Sequence, residues 1–239
     1  MSRYHGGKQR IGKEIAKIIS EKVEETGREI HGYCEPFCGM LGVYQHIPKY
    51  FGERQMSYKA GDMNESVVKM WEAVREGWVP PNSCSEETYN ELQNQEASSA
   101  EKAYIGHQFS FGGGNFKGYV GKYRGAQTTF KTIPKKICKI ARDLQDVEFS
   151  CGTYRQFSDL ENYIIYCDPP YANTRCKYAE KFDSDSFWEW VCEMNKTNVV
   201  FVSEYNAPDD FECIFENKKK LQTSSKRIPS GFEKLFMKS

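Results

Sequence analysis

No run of apolar residues approaches the length of about eighteen that a membrane span needs, and the opening residues, Met1-Ser2-Arg3-Tyr4-His5-Gly6-Gly7-Lys8, lack the apolar core of a signal peptide. A membrane-embedded or secreted protein is therefore not expected. The reading is of a soluble protein of the cytoplasm, or of the host-cell interior if its source is a phage or a virus. No Cys-x-x-Cys pair occurs among the nine scattered cysteines, so a zinc-site pattern is missing. Cys34 and Cys38, the closest pair, read as reduced structural thiols. The four histidines, His5, His31, His46 and His107, are as dispersed, and no metal is expected.

Net charge is also lacking, with 33 basic residues against 33 acidic, which at first speaks against a polyanionic partner. A local absence reverses that impression. From Lys102 to Arg142 there is no Asp or Glu, while Lys102, Lys117, Lys122, Arg124, Lys131, Lys135, Lys136, Lys139 and Arg142 make nine basic residues. The rest of the chain is correspondingly more acidic than basic, with Glu180 to Glu216 holding ten carboxylates against two lysines. The acid-free stretch is interleaved with Phe109, Phe111, Phe116, Tyr119, Tyr123 and Phe130, a mixture suited to a nucleic-acid surface.

What is present is enough for one packed core: 14% of the 239 residues are aromatic and 39% hydrophobic, against a mean hydropathy of -0.71. Residues 9–25 carry Ile11, Ile15, Ile18, Ile19 and Val23 at helical spacing, with Gly27 as a stop. His31 to Phe37 reads as a short strand, Cys38 to Gly42 as a tight turn, and Val43 to Ile47 as the following helix. A second strand, Tyr58 to Gly61, ends at Asp62 and leads to a helix from Glu65 to about Glu76. Pro80-Pro81 interrupts the pattern, a polar helical segment spans Glu86 to His107, and the glycine-rich tract Ser110 to Gly125 has little periodicity. Val147–Cys151, Tyr163–Cys167 and Val199–Ser203 are apolar runs fit for strands buried on both faces, with a helix Asp185 to Asn195 between the last two. The expected fold is α/β: a doubly wound, mostly parallel sheet in residues 1–78 and 143–239, with a mainly helical insert at 79–142.

Two places carry chemistry. Glu35-Pro36-Phe37-Cys38-Gly39 ends the first strand and Asp62 ends the second, an arrangement that admits a nucleotide-like ligand to the backbone while a carboxylate accepts from ribose hydroxyls. Without a full Gly-x-Gly-x-x-Gly, that turn alone fits an ordinary strand-to-helix connection equally well. Asp168-Pro169-Pro170-Tyr171, directly after the strand Tyr163–Cys167, is more specific. Proline stiffens the loop and removes donors, leaving carbonyls to accept. If Asp168 and the Pro169 carbonyl take the two protons of a ring-conjugated amine, its lone pair is localised toward an electrophilic methyl while Tyr171 stacks on the ring. Orientation and preorganised acceptors then suffice.

On these residues the chain resembles the Dam-type family of DNA adenine-N6 methyltransferases, of the Asp-Pro-Pro-Tyr class, along nearly its whole length. Tyr4-His5-Gly6-Gly7-Lys8 is similar to the family's N-terminal Gly-Gly-Lys element, Glu35 to Gly39 to its Phe-x-Gly element, Asp62-Met63-Asn64 to its ribose-binding element and Asp168 to Tyr171 to its catalytic tetrapeptide. Gly152-Thr153-Tyr154, Val202 to Asn206 and Glu233 to Phe236 are weaker matches in the family's order. Two positions depart: Leu41 stands at the second glycine of the Phe-x-Gly-x-Gly pattern, and Tyr4-His5 replaces an aromatic that is often Trp.

The resemblance implies a Rossmann-like methyltransferase using S-adenosylmethionine and no metal. It places Tyr4, Lys8, Glu35, Phe37, Gly39, Asp62, Thr153 and Asp168 around that cofactor, with Lys8 near its methionine end, and Asp168, Pro169 and Tyr171 on a flipped adenine of double-stranded DNA. The insert becomes a target-recognition subdomain, with Asn115, Lys117, Lys122, Arg124, Lys135, Lys136 and Lys139 as expected DNA contacts and Gln127 as a further candidate reader of bases. Lys218, Lys219, Lys220, Lys226 and Arg227 read as a solvated basic face. Cytosine-N4, RNA or protein-amide methylation and a catalytically silent DNA-binding homologue stay open, as do a cognate restriction endonuclease, a restriction-modification role, and a monomer or weak dimer.

Overall fold

The protein's computed structural model describes residues 4–52, 55–123, 130–144, 146–170, 182–217 and 233–238; Arg124, Gln127, Tyr171, Lys218, Lys219, Lys220, Lys226 and Arg227 lie outside the described residues. The strands are β1 (Gly32–Glu35), β2 (Ser57–Asp62), β3 (Val147–Cys151), β4 (Tyr163–Cys167), β5 (Val199–Glu204), β6 (Glu212–Asn217) and β7 (Glu233–Met237). They form one seven-stranded sheet in the order β3-β2-β1-β4-β5-β7-β6. β1 to β5 run parallel, and β7 lies antiparallel between β5 and β6. Every residue of β5 and all but the first of β4 are buried, as the apolar runs require of strands covered on both faces. From β1 the chain winds outward to β2 and β3, and from β4 it winds the other way. Between β1 and β4 lies the crevice where such sheets bind ligands.

Helix α1 (Gly12–Thr26) buries Ile15, Ile19 and Val23 and stops at Gly27, whose φ of 62° is the left-handed cap anticipated there. The stretch from Val43 is not one helix: a 3₁₀ turn at Tyr44–His46 gives way to α2 (Pro48–Phe51), since Pro48 cannot donate to the preceding turn and starts a new one. α3 (Glu65–Arg75) is capped by the Asn64 side chain, which accepts from Ser66 N at 3.1 Å, and it buries Trp71 completely.

The polar segment from Glu86 also divides, into α4 (Glu86–Asn94) and α5 (Ala100–Gln108). Ser85 caps the first by accepting from Thr88 N at 2.9 Å, and Ser99 caps the second by accepting from Lys102 N at 3.1 Å. A second serine cap inside an apparently continuous polar pattern is the physical reason for the break. The glycine-rich tract is ordered by a short antiparallel closure, with Phe111 N donating to Gly118 O and Val120 N to Phe109 O, each at 2.9 Å. α6 (Ile133–Arg142) follows, burying Ile133, Ile137 and Ile140, and α7 (Ser184–Met194) crosses from β4 to β5.

Tyr89, Leu92, Tyr104, Phe109 and Ile137 share one hydrophobic cluster with Trp71 of α3 and Val147 of β3, so α4, α5 and α6 are packed onto the sheet's own core. Charge is segregated across the sheet. α6, with exposed Lys135, Lys136 and Lys139, packs on α3 beside β3 at one edge, whereas Asp185, Glu189 and Glu193 of α7 and Glu212 and Glu216 of β6 belong to the other half. Among the described residues no helix is long and apolar enough to cross a membrane.

The N-terminal segment lies directly against the loop after β1. A Cβ at Gly12 would meet Gly42 O at 1.9 Å, a backbone atom that cannot swing aside. Gly12→Ala is expected to cost about 1–3 kcal/mol through forced backbone displacement, despite alanine's better helix propensity. Urea unfolding should show a lower midpoint at unchanged m-value.

Candidate active site

The carboxyl ends of the parallel strands bring the expected residues together from distant parts of the chain. Glu35, Phe37 and Gly39 follow β1, Asp62 closes β2, Thr153 follows β3, and Asp168 and Pro169 follow β4. Lys8 reaches the same end of the sheet from the N-terminal segment. Its side chain is 3% exposed, and its ammonium lies 2.5 Å from Asp168 Oδ1, 2.8 Å from Glu233 Oε1 and 2.9 Å from Gly6 O. Burial opposes the charged form of Lys8, but the Asp168 and Glu233 carboxylates outweigh it and hold the pKa above its ordinary value.

Beside this group sits Glu35, 2% exposed, whose Oε1 accepts from the Tyr33 hydroxyl at 2.7 Å. Burial pushes its carboxyl up to about 8. The Tyr33 hydrogen bond works against that rise and the nearby Asp168 charge adds to it. Glu35 therefore holds its proton in the folded protein at neutral pH.

Asp62 shapes the glycine turn. Its Oδ2 accepts from Gly39 N at 3.0 Å and its Oδ1 from Asn64 N at 2.8 Å, while Trp71 Nε1 donates to Gly39 O at 2.8 Å. Burial raises the Asp62 carboxyl above its usual range, with the Asn64 and Gly39 amides opposing the shift. A carboxylate offers about four acceptor positions, so these two bonds leave it capacity toward ribose hydroxyls. Gly39 has φ of 44°, and a Cβ there would meet the Tyr4 ring at 2.8 Å. Leu41 adopts φ of 50°, the left-handed backbone that its glycine equivalent takes freely. That strain, about 1–2 kcal/mol, is matched by burial of the Leu41 side chain, about 1.5–3 kcal/mol, since Leu41 is fully buried. The turn thus holds a left-handed residue at this position without a second glycine.

Phe37 is half-buried, ringed by Tyr154 at 5.8 Å, Phe182 at 6.0 Å and Phe187 at 5.7 Å. Thr153 is exposed at the start of the turn that places Tyr154. Tyr4 stacks obliquely on His107 with ring centroids 4.6 Å apart, and His107 Nδ1 donates to Gly113 O at 3.0 Å. Burial pushes His107 down to about 4, against the opposing pull of the Gly113 bond.

The expected DNA contacts are not gathered at one point. Asn115 and Lys117 are exposed on the glycine loop, Lys122 is exposed with Glu86 3.9 Å away, and Lys135, Lys136 and Lys139 line the outer face of α6. The helix runs down toward the start of β3, so Lys139 lies nearer the opposite end of the sheet than Lys135.

Glu233, Tyr33, Trp71 and His107 were not assigned to the site from the sequence. The order of the Glu233 to Phe236 match was visible there, but nothing local pairs Glu233 with Lys8. Cys34 and Cys38 are both buried free thiols.

A mostly parallel sheet wound outward from a central switch point, one antiparallel strand between β5 and β6, and a carboxylate-lined crevice define a Rossmann-like methyltransferase fold. The sequence profile of the D12 class N6 adenine-specific DNA methyltransferases matches residues 4–112 and 103–189, and the chain belongs to that family. No curated protein matches it.

Among solved structures, an rRNA methyltransferase from Streptomyces viridochromogenes is 8% identical at a TM-score of 0.42, covering 95% of this chain and 84% of its own. A candidate methylase from Haemophilus influenzae, HI0767, is 10% identical at 0.35, covering 92% of this chain and 98% of its own. SMU.472, a candidate methyltransferase solved with SAH, is 11% identical at 0.34, covering 93% of this chain and 52% of its own.

The raised Glu35 carboxyl sets a pH dependence. Below about pH 4.5 Glu35 is protonated in folded and unfolded chains alike. Between there and about 8 only the unfolded chain ionises, so this group's contribution to stability falls as pH rises. Glu35→Gln removes the effect. Urea midpoints of the variant and wild type should diverge from pH 5 to pH 8, with the variant gaining relative stability toward alkaline pH.

Proposed function

We propose that the protein transfers a methyl group from S-adenosylmethionine to the exocyclic N6 of an adenine extruded from double-stranded DNA. The observation that carries this reading is Asp168 followed by two prolines at the mouth of the switch-point crevice, its carboxylate anchored by Lys8. The donor set suits the cofactor: Asp62 and Asp168 offer carboxylate acceptors beside an aromatic Phe37, with the protonated Glu35 next to them, and the donor is a cation with ribose hydroxyls. Phe37, Gly39 and Asp62 would hold its nucleoside part, with Tyr4 and Thr153 at the borders, and Lys8 and Glu35 lie toward its amino-acid end. When bound, S-adenosylmethionine supplies a methyl group on a positively charged sulfur, which departs with the electron pair of the broken C–S bond.

The chain's own residues prepare the acceptor. Asp168 takes one N–H of the amine at its carboxylate and the Pro169 carbonyl takes the other, which localises the nitrogen lone pair. The nitrogen forms the new N–C bond, and the Asp168 carboxylate receives the proton that the alkylated amine then sheds. Tyr171, outside the described residues, would stack on the base. Extrusion costs a few kcal/mol, offset by such pocket contacts and by cations on phosphate. Residues 79–142 are the target-recognition insert in this reading. Asn115 and Lys117 on the glycine loop, Lys122, Arg124, and Lys135, Lys136 and Lys139 on α6 are its contacts to DNA.

Nucleosides from duplex DNA incubated with the protein and S-adenosylmethionine should contain N6-methyladenine by mass spectrometry. N4-methylcytosine, or methylation of RNA alone, would overturn the assignment. Asp168→Ala should lower methyl transfer by at least about a thousandfold while S-adenosylmethionine still binds in calorimetry; turnover like the wild type would sink the mechanism.

The joint change Lys135→Gln, Lys136→Gln and Lys139→Gln should weaken DNA binding and reduce the salt slope by about 0.9 per lost phosphate contact. An unchanged slope places the DNA elsewhere.

A further inference from the structure

The Asp168 carboxylate is not held by Lys8 alone. Among the described residues, Asp168, Glu233 and the Gly6 carbonyl all accept from the Lys8 ammonium. Glu233 opens β7, the strand that the fold places antiparallel beside β5, and its side chain is 23% exposed against 19% for Asp168. Both carboxylates are therefore shielded enough for charge to matter.

A buried lysine paired with one aspartate makes a neutral couple, and its ammonium competes with any incoming amine for the aspartate's lone pairs. A second carboxylate on the same ammonium leaves the trio with one net negative charge. It also restrains Lys8 through a second contact, so the ammonium holds the Asp168 carboxylate while its own charge is shared with Glu233.

We propose that Glu233 is a positioning residue of the methyl-transfer site, acting through Lys8 to orient Asp168 and preserve the negative charge with which it accepts the target amine. This rests on the reading of Asp168 as that acceptor. Glu233 touches neither substrate in this scheme, and its effect falls on the chemical step.

The test compares the full-length wild type, Glu233→Gln and Glu233→Asp in steady-state methylation of duplex DNA, with S-adenosylmethionine affinity measured by calorimetry and folding by thermal melting. Glu233→Gln keeps the size and an acceptor oxygen but loses the charge, and should lower kcat by about tenfold or more with both KM values and the calorimetric Kd within about threefold. Glu233→Asp keeps the charge and should recover most of that loss. Unchanged kcat in Glu233→Gln, equal losses in the two variants, or a loss confined to KM would each overturn the inference. Should Glu233→Gln fail to fold, Glu233→Ala takes its place: a kcat about tenfold or more below that of Glu233→Asp at unchanged KM supports positioning, and any other outcome overturns it. If Asp168→Ala is inert while Glu233→Gln is normal, only this inference falls; an active Asp168→Ala removes the reading beneath it.

Discussion

Burying the Lys8 ammonium without partners would cost several kcal/mol, and the arrangement of the site follows from how that cost is met. The N-terminal segment brings the cation, β4 brings Asp168 and β7 brings Glu233, so one buried charge ties together three separate parts of the chain. The segment can descend that far because Gly12 and Gly42 let two backbones approach without side chains between them. The same descent brings Tyr4 against Gly39 and so fixes the upper boundary of the turn after β1. The glycines, the lysine and the two carboxylates are thus one structural solution. The chemistry proposed for Asp168 depends on all of them.

How far this was readable beforehand depends on range. β3 and β4 match the apolar runs residue for residue, but only β4 is buried on both faces; β3, expected to be so, forms the sheet edge and buries Val147 alone, since no strand covers its outer side. α3 and the Gly27 stop were equally plain, being set by periodicity and a cap. β6 and β7 were not read as strands. β6 forms the sheet edge and β7 lies just inside it, both with mixed burial, and their pairing is antiparallel between segments whose adjacency no local pattern announces. α6 carried a legible spacing of Ile133, Ile137 and Ile140, but its lysines drew the reading toward charge alone.

The site divides in the same way. Asp168 and Asp62 were visible because each ends a strand, the one place in a doubly wound sheet where a carboxylate is exposed to ligand. Glu233 was not, since its partner lies at the other end of the chain and the contact exists only once β7 is inserted beside β5. Leu41 shows a different limit: its sequence departs from the family pattern, yet it holds a left-handed backbone that glycine adopts freely, because side-chain burial compensates the conformation.

The carbonyl of Gly113 receives two donors, the His5 amide at 3.1 Å and His107 Nδ1 at 3.0 Å. One oxygen thereby links the glycine loop both to the residues preceding Lys8 and to α5. Sliding the loop by one hydrogen-bond length would break both links together, about 1 kcal/mol each before any desolvation penalty. The loop is consequently jointed to the cofactor side of the crevice like a lever on a common pin. Tyr4, which follows the same pin by stacking on His107, lies in turn against Gly39 of the turn after β1.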